Sequence, residues 1–207
     1  MTIPASIKNI IFDFGGVILN IDYSLTEVAF AKLGLKDFAG IYSQATQQKL
    51  FDEFEKGQVT PADFRSEVKR YIDQDVSDVQ IDEAWNAMLL DLPEERVNLL
   101  DKLKNTHRIF LLSNTNEIHF TAFSSYMKEK FKRDVFEEVF EKYYVSHRVK
   151  MRKPDAEIFE FVVRENNLKK EETIFIDDSI QHIEGARKAG LNAIFLEKGK
   201  TILDLFT

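Results

Sequence analysis

The sequence predicts an α/β protein with a doubly wound parallel sheet and an inserted bundle of α-helices. From residue 92 onward, short apolar runs alternate with helical segments, which is typical of a parallel sheet covered by helices on both faces. One further apolar run lies near the N-terminus, and the stretch between is helical, with no convincing strand. Because 207 residues suit one core domain with an insertion, we assign residues 1–20 and 92–207 to the α/β core and residues 21–91 to the helical bundle.

The first strand is predicted at residues 10–18, where a single carboxylate, Asp13, stands among apolar residues. Runs of this kind form strands that are buried on both faces. An ionised aspartate is costly in such an interior unless it is paired, bound to a metal or at the strand end, and Gly15-Gly16 provides that end. On this stretch alone, a core strand whose aspartate only caps a turn explains the residues equally well.

Four helical segments are predicted in the insertion. They start at Ser24, Phe38, Thr60 and Ser77, with Glu27 and Gln80 completing capping boxes and Pro61 following Thr60. The first segment ends near Gly34, and its apolar Leu25, Val28 and Leu33 share one face. The second spans residues 38–56. Four helices without a strand indicate a small bundle inserted after the first strand.

The rest of the chain alternates between helices and strands. Helices are predicted at residues 96–105, 117–131, 155–167 and 179–189, and strands at 108–112, 142–145, 173–176 and 192–196. This alternation favours strands that run parallel, with the connecting helices packed on the two faces of one sheet.

The composition excludes several classes of function. The chain is 44% hydrophobic and 30% charged with a net charge of −7, so it lacks the basic surface that nucleic acids or anionic membranes require. It contains no cysteine, which rules out disulfides and thiolate chemistry. Neither a signal peptide nor a membrane-spanning run is evident. We expect a cytoplasmic protein, as a monomer or a weak homodimer.

Polar side chains stand where the predicted strands end, at the edge where open α/β sheets bind their ligands. The first run carries Asp13, the second leads into Ser113-Asn114, and the fourth ends in Asp177-Asp178. Two adjacent carboxylates repel each other, and together with Asp13 they form a set of oxygen ligands suited to Mg²⁺. Ser113 and Asn114 are typical of helix N-caps, a role that is compatible with binding an anion.

Four basic residues follow the third strand: Arg148, Lys150, Arg152 and Lys153. We interpret most of this run as solvated surface. Lys153 is the exception, because it stands beside Pro154 at a helix start, and we expect it to neutralise a phosphate group.

This order of side chains along successive strands resembles the haloacid dehalogenase-like hydrolases, which are mostly phosphatases. The resemblance covers essentially the whole chain, through Ile-Phe-Asp-Phe-Gly-Gly-Val-Ile, Leu-Leu-Ser-Asn-Thr-Asn, Arg-Lys-Pro-Asp-Ala-Glu-Ile-Phe and Phe-Ile-Asp-Asp-Ser. The helical insertion is similar to the α-helical cap of one subfamily. Within the family, the Asp-x-Gly form of the first motif most resembles that of the bacterial α-D-glucose-1-phosphate phosphatases.

The resemblance implies a metal site in which Asp13 is also the nucleophile and forms an aspartyl-phosphate. Mg²⁺ would be bound by Asp13, the backbone carbonyl of Gly15 and Asp178, with Asp177 bound directly or through water. It likewise implies a phosphate site.

In that phosphate site, Ser113 and the amide of Asn114 would hold the transferring phosphoryl group, and Lys153 would neutralise its charge. This division suits phosphoryl transfer, in which catalysis is chiefly positioning and charge stabilisation.

One residue departs from the family pattern. Typical phosphatases of the family carry a second aspartate two residues after the nucleophile, as general acid and base, and here that position is Gly15. General acid–base catalysis is worth about 10²–10⁴ in rate, so efficient turnover needs a substitute. Asp22 and His119 are the candidates, although a turn residue and a surface histidine are the simpler interpretations.

The sequence therefore predicts a Mg²⁺-dependent phosphatase of a small phosphorylated metabolite, such as a sugar phosphate. One alternative is a metal-independent dehalogenase that uses the same Asp13 nucleophile. Another is a catalytically weak domain that binds a phosphorylated ligand or a protein, which Gly15 would favour.

Overall fold

The sheet lies at the centre of the molecule. The structure, a computed structural model, describes residues 3–35 and 45–206, with side chains from residue 50 in the second range. The strands described are β1 (Asn9–Phe12), β2 (Arg108–Ser113), β3 (Lys142–Val145), β4 (Thr173–Asp177) and β5 (Asn192–Phe195). Their order across the sheet is β3-β2-β1-β4-β5, and every neighbouring pair is parallel.

Helices separate the strands along the chain. Those described are α1 (Tyr23–Lys32), α2 (Ala45–Glu55), α3 (Pro61–Lys69), α4 (Asp78–Asn86), α5 (Glu94–Leu103), α6 (Glu117–Phe131), α7 (Val135–Val139), α8 (Ser146–Val149), α9 (Ala156–Glu165) and α10 (Ile180–Lys188). Two short 3₁₀ helices lie between α9 and β4, at Lys170–Glu172, and after β5, at Ile202–Leu205. Among the described helices, none is both long and apolar enough to cross a membrane.

Two apolar cores lie on opposite faces of the sheet, because side chains of a strand alternate between its faces. Ile10 and Phe12 point to the face covered by α5, α6 and α7. Ile11 and Phe175 point to the other face, covered by α9 and α10. The prediction of a parallel sheet with helices on both faces is confirmed.

Helices α1–α4 follow β1 and form most of a third apolar core, which includes Phe64 and Trp85 and to which α6 contributes Ile118. The two chain segments that join these helices to the sheet pair with each other. The amide of Asn20 donates to the carbonyl of Asp91 (2.9 Å), and Ile21 forms an antiparallel bridge with Leu89. The helical bundle thus enters and leaves the α/β layer at one place.

The first strand is shorter than the predicted run of residues 10–18. It ends at Phe12, and the residues after Asp13 fold into a turn in which Gly16 donates to the carbonyl of Leu19 and Leu19 donates to that of Phe14, both at 2.8 Å. The apolar residues of this turn are still buried, which is why composition alone extended the strand.

The capping box predicted at Ser24 is wrong. Asp22 caps α1 instead, and its side chain accepts a hydrogen bond from the amide of Ser24 at 3.0 Å. The predicted apolar face of α1 is also wrong, because Leu25 and Val28 are 38% and 50% exposed.

The second predicted helix, 38–56, lies partly outside the described residues, which resume with α2 at Ala45. The capping predictions for the third and fourth helices are confirmed. Thr60 accepts a hydrogen bond from the amide of Asp63, and Ser77 with Gln80 forms a capping box.

Candidate active site

The two central strands bring Asp13 and Asp177 side by side. Their register places Phe12 opposite Ile176, and the amide of Asp13 donates to the carbonyl of Ile176 at 2.9 Å. Both carboxylates are buried, with Asp13 7% exposed and Asp177 fully enclosed. Two buried carboxylates at one strand edge need a cation between them.

Lys153 supplies one positive charge. Its fully buried Nζ donates to Asp13 Oδ1 at 2.6 Å and to Asp177 Oδ2 at 2.7 Å. Asn114 holds the lysine backbone from the end of β2, since its Nδ2 donates to the carbonyl of Lys153 and its Oδ1 accepts from the amide, both at 2.9 Å. Ser113, also predicted in the site, lies buried beside Asn114. The ends of β1, β2 and β4 therefore meet at one lysine.

Asp177 is held by more than Lys153. Its Oδ1 accepts a hydrogen bond from the amide of Ser179 at 2.7 Å, and the Nδ1 of His182 lies 3.0 and 2.9 Å from its two oxygens. His182 was not among the residues predicted from the sequence. The position of His182 in the sequence indicates this contact, because a histidine in the first turn of the helix that follows Asp177 is placed to face the strand end.

Asp178 is exposed and lies against the turn after β1. Gly16 has a φ of +79°, and a Cβ built there would lie only 2.0 Å from Asp178 Oδ2, so the carboxylate rests directly on the glycine backbone. One oxygen from each of Asp13, Asp177 and Asp178 lies within 4.8 Å of the others. Three hard oxygen ligands in this arrangement fit Mg²⁺, which prefers carboxylates and retains waters.

The charges in the site are uneven. The pKa of Asp13 is raised to about 7, chiefly because the carboxyl is buried. The positive charge of Lys153 lowers this pKa, and repulsion from Asp177 and Asp178 raises it. Burial alone would also raise the pKa of Asp177, but Lys153 and His182 bring it below its usual value. Burial would lower the pKa of Lys153, yet the two aspartates raise it. Lys153 and Asp177 thus form a charged pair, and Asp13 is a carboxylate that a nearby cation would help to ionise.

The match to a known family agrees with this geometry. A sequence model described as haloacid dehalogenase-like hydrolase matches residues 10–196. The chain belongs to this family. The predicted resemblance is confirmed over nearly the whole length of the core and the helical insertion, and the chain is a hydrolase of the haloacid dehalogenase-like type.

Several members of the family are similar to this chain along its length. The D-ribitol-5-phosphate phosphatase of Bacteroides thetaiotaomicron is 29% identical over 93% of both chains. A solved haloacid dehalogenase family enzyme from the same organism is 36% identical, with a TM-score of 0.88 over 94% of this chain and 95% of that one. That enzyme has also been solved in complex with magnesium and inorganic phosphate. A family member from Porphyromonas gingivalis is 29% identical, with a TM-score of 0.85 over 95% of this chain and 94% of that one.

Neither proposed substitute for the missing general acid is suited to the role. Asp22 caps α1, accepts from Ser24 Oγ at 2.6 Å, and has a pKa lowered chiefly by that hydrogen bond. His119 is buried, donates from Nδ1 to Asn86 Oδ1 at 2.8 Å, and stacks on Trp85 with ring centroids 4.9 Å apart. Burial lowers the pKa of His119 to about 3, so it is neutral and holds the helical bundle against α6.

The basic run before Lys153 is only partly solvated. Arg148 and Lys150 are exposed, as predicted. Arg152 is different, because its side chain is 24% exposed and forms ion pairs with Asp52 and Glu55 of α2. The prediction failed for Arg152 because its partners belong to the inserted helices, about a hundred residues earlier in the chain.

Proposed function

We propose that this chain is a Mg²⁺-dependent phosphatase that hydrolyses a small phosphorylated metabolite, in the class of sugar and polyol phosphates. The observation that carries the proposal is the buried Lys153 between Asp13 and Asp177, with the Asp178 carboxylate at the same edge. The substrate class is supported by the similar phosphatase named for D-ribitol 5-phosphate.

The metal site follows from the oxygen ligands present. Asp13, Asp178 and the carbonyl of Gly15 would bind Mg²⁺ directly. Asp177 would act through water, because both of its oxygens already accept hydrogen bonds from neighbouring residues. When bound, the ion offsets the negative charge of the phosphate and orients it.

Asp13 is the proposed nucleophile. Its carboxylate oxygen attacks phosphorus, the bond from phosphorus to the leaving oxygen breaks, and the leaving oxygen takes up a proton. Water then attacks the phosphorus of the aspartyl-phosphate and releases inorganic phosphate and Asp13. Ser113, the Asn114 amide and Lys153 hold the phosphoryl oxygens during both transfers, where positioning and charge matter most.

Residues 21–91 are the proposed cap over this site. They share an apolar core with Ile118 of α6 and contact the α/β layer near the strand ends, where Trp85 Nε1 donates to Asn116 Oδ1 at 3.3 Å. A cap in this position would exclude water and select the leaving group.

The proposal is tested with a panel of phosphate esters that includes D-ribitol 5-phosphate and other sugar phosphates. We expect hydrolysis in Mg²⁺, none in EDTA, and none by Asp13→Asn in either condition. Activity that survives EDTA would favour a metal-independent hydrolase instead. Binding of the esters without hydrolysis would favour a ligand-binding domain. A cytoplasmic location and a monomeric or weakly dimeric state stay predictions from the sequence.

A further inference from the structure

Three carboxylates lie within reach of one metal ion, yet the proposed function gives direct bonds to only two of them, Asp13 and Asp178. One oxygen from each of these residues and from Asp177 lies within 4.8 Å of the others. Distance therefore does not exclude Asp177 from binding the ion directly, and its hydrogen bonds must do so. A carboxylate has about four lone pairs, two on each oxygen, and a lone pair that accepts a hydrogen bond is lost to a metal.

Four hydrogen-bond contacts occupy the Asp177 carboxylate. Its Oδ1 accepts from the amide of Ser179 at 2.7 Å, and its Oδ2 accepts from Lys153 Nζ at 2.7 Å. His182 makes the other two, because its Nδ1 lies 3.0 Å from Oδ1 and 2.9 Å from Oδ2. Since the acceptor is a carboxylate, Nδ1 carries the proton and donates to both oxygens. Without His182, each oxygen would keep one donor and regain one lone pair.

The packing of α10 fixes His182 in this position. His182 lies in the first turn of α10, and Gly185 is three residues further along the same face of the helix. A Cβ built on Gly185 would lie 2.2 Å from the carbonyl oxygen of Pro154, so the helix backbone packs directly against the residue that follows Lys153. His182 and Lys153 therefore approach Asp177 from two segments that touch each other, and together they hold its carboxylate.

We propose that His182 determines which metal ion this site prefers, by holding Asp177 to Lys153 and away from the ion. The inference rests on the proposed function, because it concerns the same Mg²⁺ site. Mg²⁺ needs few carboxylates and keeps several waters, whereas Ca²⁺ takes about six to eight oxygen ligands. A third direct carboxylate would add both charge and a ligand, which favours Ca²⁺. His182 is a positioning residue, since it acts on the ion only through Asp177.

The test measures how Mg²⁺ and Ca²⁺ each stabilise the metal-free protein. An ion that binds the folded state raises the melting temperature, and the rise with ion concentration gives an apparent Kd without any turnover. His182→Leu removes the donor, whereas His182→Asn retains one, because the side-chain nitrogen of asparagine can take the place of Nδ1. The His182 side chain is 19% exposed, so we expect both variants to fold. His182→Ala repeats the comparison without added apolar bulk.

We expect His182→Leu and His182→Ala to bind Ca²⁺ about 10-fold more tightly than the wild-type protein does, and to gain much less affinity for Mg²⁺. His182→Asn should keep the wild-type preference for Mg²⁺. Adding Asp177→Asn to His182→Leu should cancel the gain in Ca²⁺ affinity, because an amide oxygen is an uncharged and weaker ligand. In turnover assays, Ca²⁺ should inhibit the Mg²⁺-dependent reaction of His182→Leu at lower concentrations than that of the wild-type protein.

Equal Ca²⁺ affinities in the wild-type protein, His182→Leu and His182→Ala would overturn the role of His182. A gain in Ca²⁺ affinity that persists in the double variant would also overturn it, since the new ligand would not be Asp177. If neither ion stabilises the wild-type protein and it hydrolyses no phosphate ester, the proposed function itself fails. The wild-type measurements alone distinguish that result from the other two.

Discussion

Replacing Asp13 with asparagine should stabilise the metal-free protein while it abolishes catalysis. Burial raises the pKa of this carboxyl from 3.8 to about 7. A difference of one in pKa between the folded and unfolded states corresponds to about 1.4 kcal/mol. At pH 8 the ionised Asp13 side chain therefore lowers the free energy of unfolding by about 4 kcal/mol. Asparagine removes that cost but leaves Lys153 with Asp177 as its remaining carboxylate partner. We therefore expect a net gain of about 2 kcal/mol in EDTA.

The gain should depend on pH in one direction. Between about pH 4 and pH 7 the folded protein retains a proton on Asp13 that the unfolded chain has released, so the stability of the wild-type protein falls as pH rises. The stability of Asp13→Asn does not fall in this way, because asparagine does not ionise. The stability that the variant gains over the wild-type protein should be largest at pH 8 and should disappear near pH 5, where the wild-type carboxyl is protonated in the folded state.

Urea unfolding followed by circular dichroism in EDTA, at pH 5 and pH 8, measures both quantities. Addition of Mg²⁺ should then stabilise the wild-type protein more than the variant, because Asp13 is one of the proposed ligands of the ion in the folded state. If Asp13→Asn is less stable than the wild-type protein in EDTA at pH 8, the attraction of Lys153 outweighs the cost of burial, and the reasoning is refuted.

Three further predictions concern the residues around Asp13. Asp178→Ala should raise the Mg²⁺ concentration for half-maximal activity by about 10-fold or more. Asp177→Ala should chiefly destabilise the protein, because the Asp177 carboxylate is a buried hydrogen-bond acceptor. Equal dependence of the two variants on Mg²⁺ would contradict this difference. Lys153→Met should abolish activity and lower the free energy of unfolding by about 3 kcal/mol at pH 8, as measured by urea unfolding, because it leaves buried carboxylates unpaired. Gly16→Ala should lose Mg²⁺ activation, because the new Cβ would displace Asp178. Gly15→Ala should retain activation, since the atom nearest to its Cβ is the flexible Cδ1 of Ile21 at 3.3 Å. The Mg²⁺ activation curves of the two variants would coincide if the turn did not position the metal ligand.

Much of the site could be predicted because each strand ends where its apolar run meets a polar residue. Asp13, Ser113 and Asp177 follow this rule, and parallel strands bring their carboxyl ends to one edge of the sheet. Asp178 could be predicted as a site residue because it stands next to Asp177 in the sequence. Lys153 could be predicted because it precedes the start of a helix.

The contacts that the sequence did not reveal depend on how the inserted helices pack. The buried face of α1 carries Thr26, whose Oγ1 donates to the carbonyl of Trp85 at 3.1 Å and accepts from the amide of Met88 at 3.2 Å. The position of α4 therefore decides which side of α1 is buried, and Leu25 and Val28 remain exposed. Periodicity within α1 carries no information about that neighbour.

The ion pairs of Arg152 were missed for the same reason. Nothing near Arg152 in sequence distinguishes it from the solvated basic residues beside it, and its partners lie in α2.

The proposed reaction transfers the phosphoryl group to Asp13 before water releases it. Rapid acid quench of a single turnover, with a radiolabelled phosphate ester and Mg²⁺, detects this intermediate. We expect protein-bound label that appears before inorganic phosphate, is labile to base, maps to the peptide containing Asp13 and is missing in Asp13→Asn. Release of inorganic phosphate with no labelled protein at any time, or labelling that persists in Asp13→Asn, would contradict it.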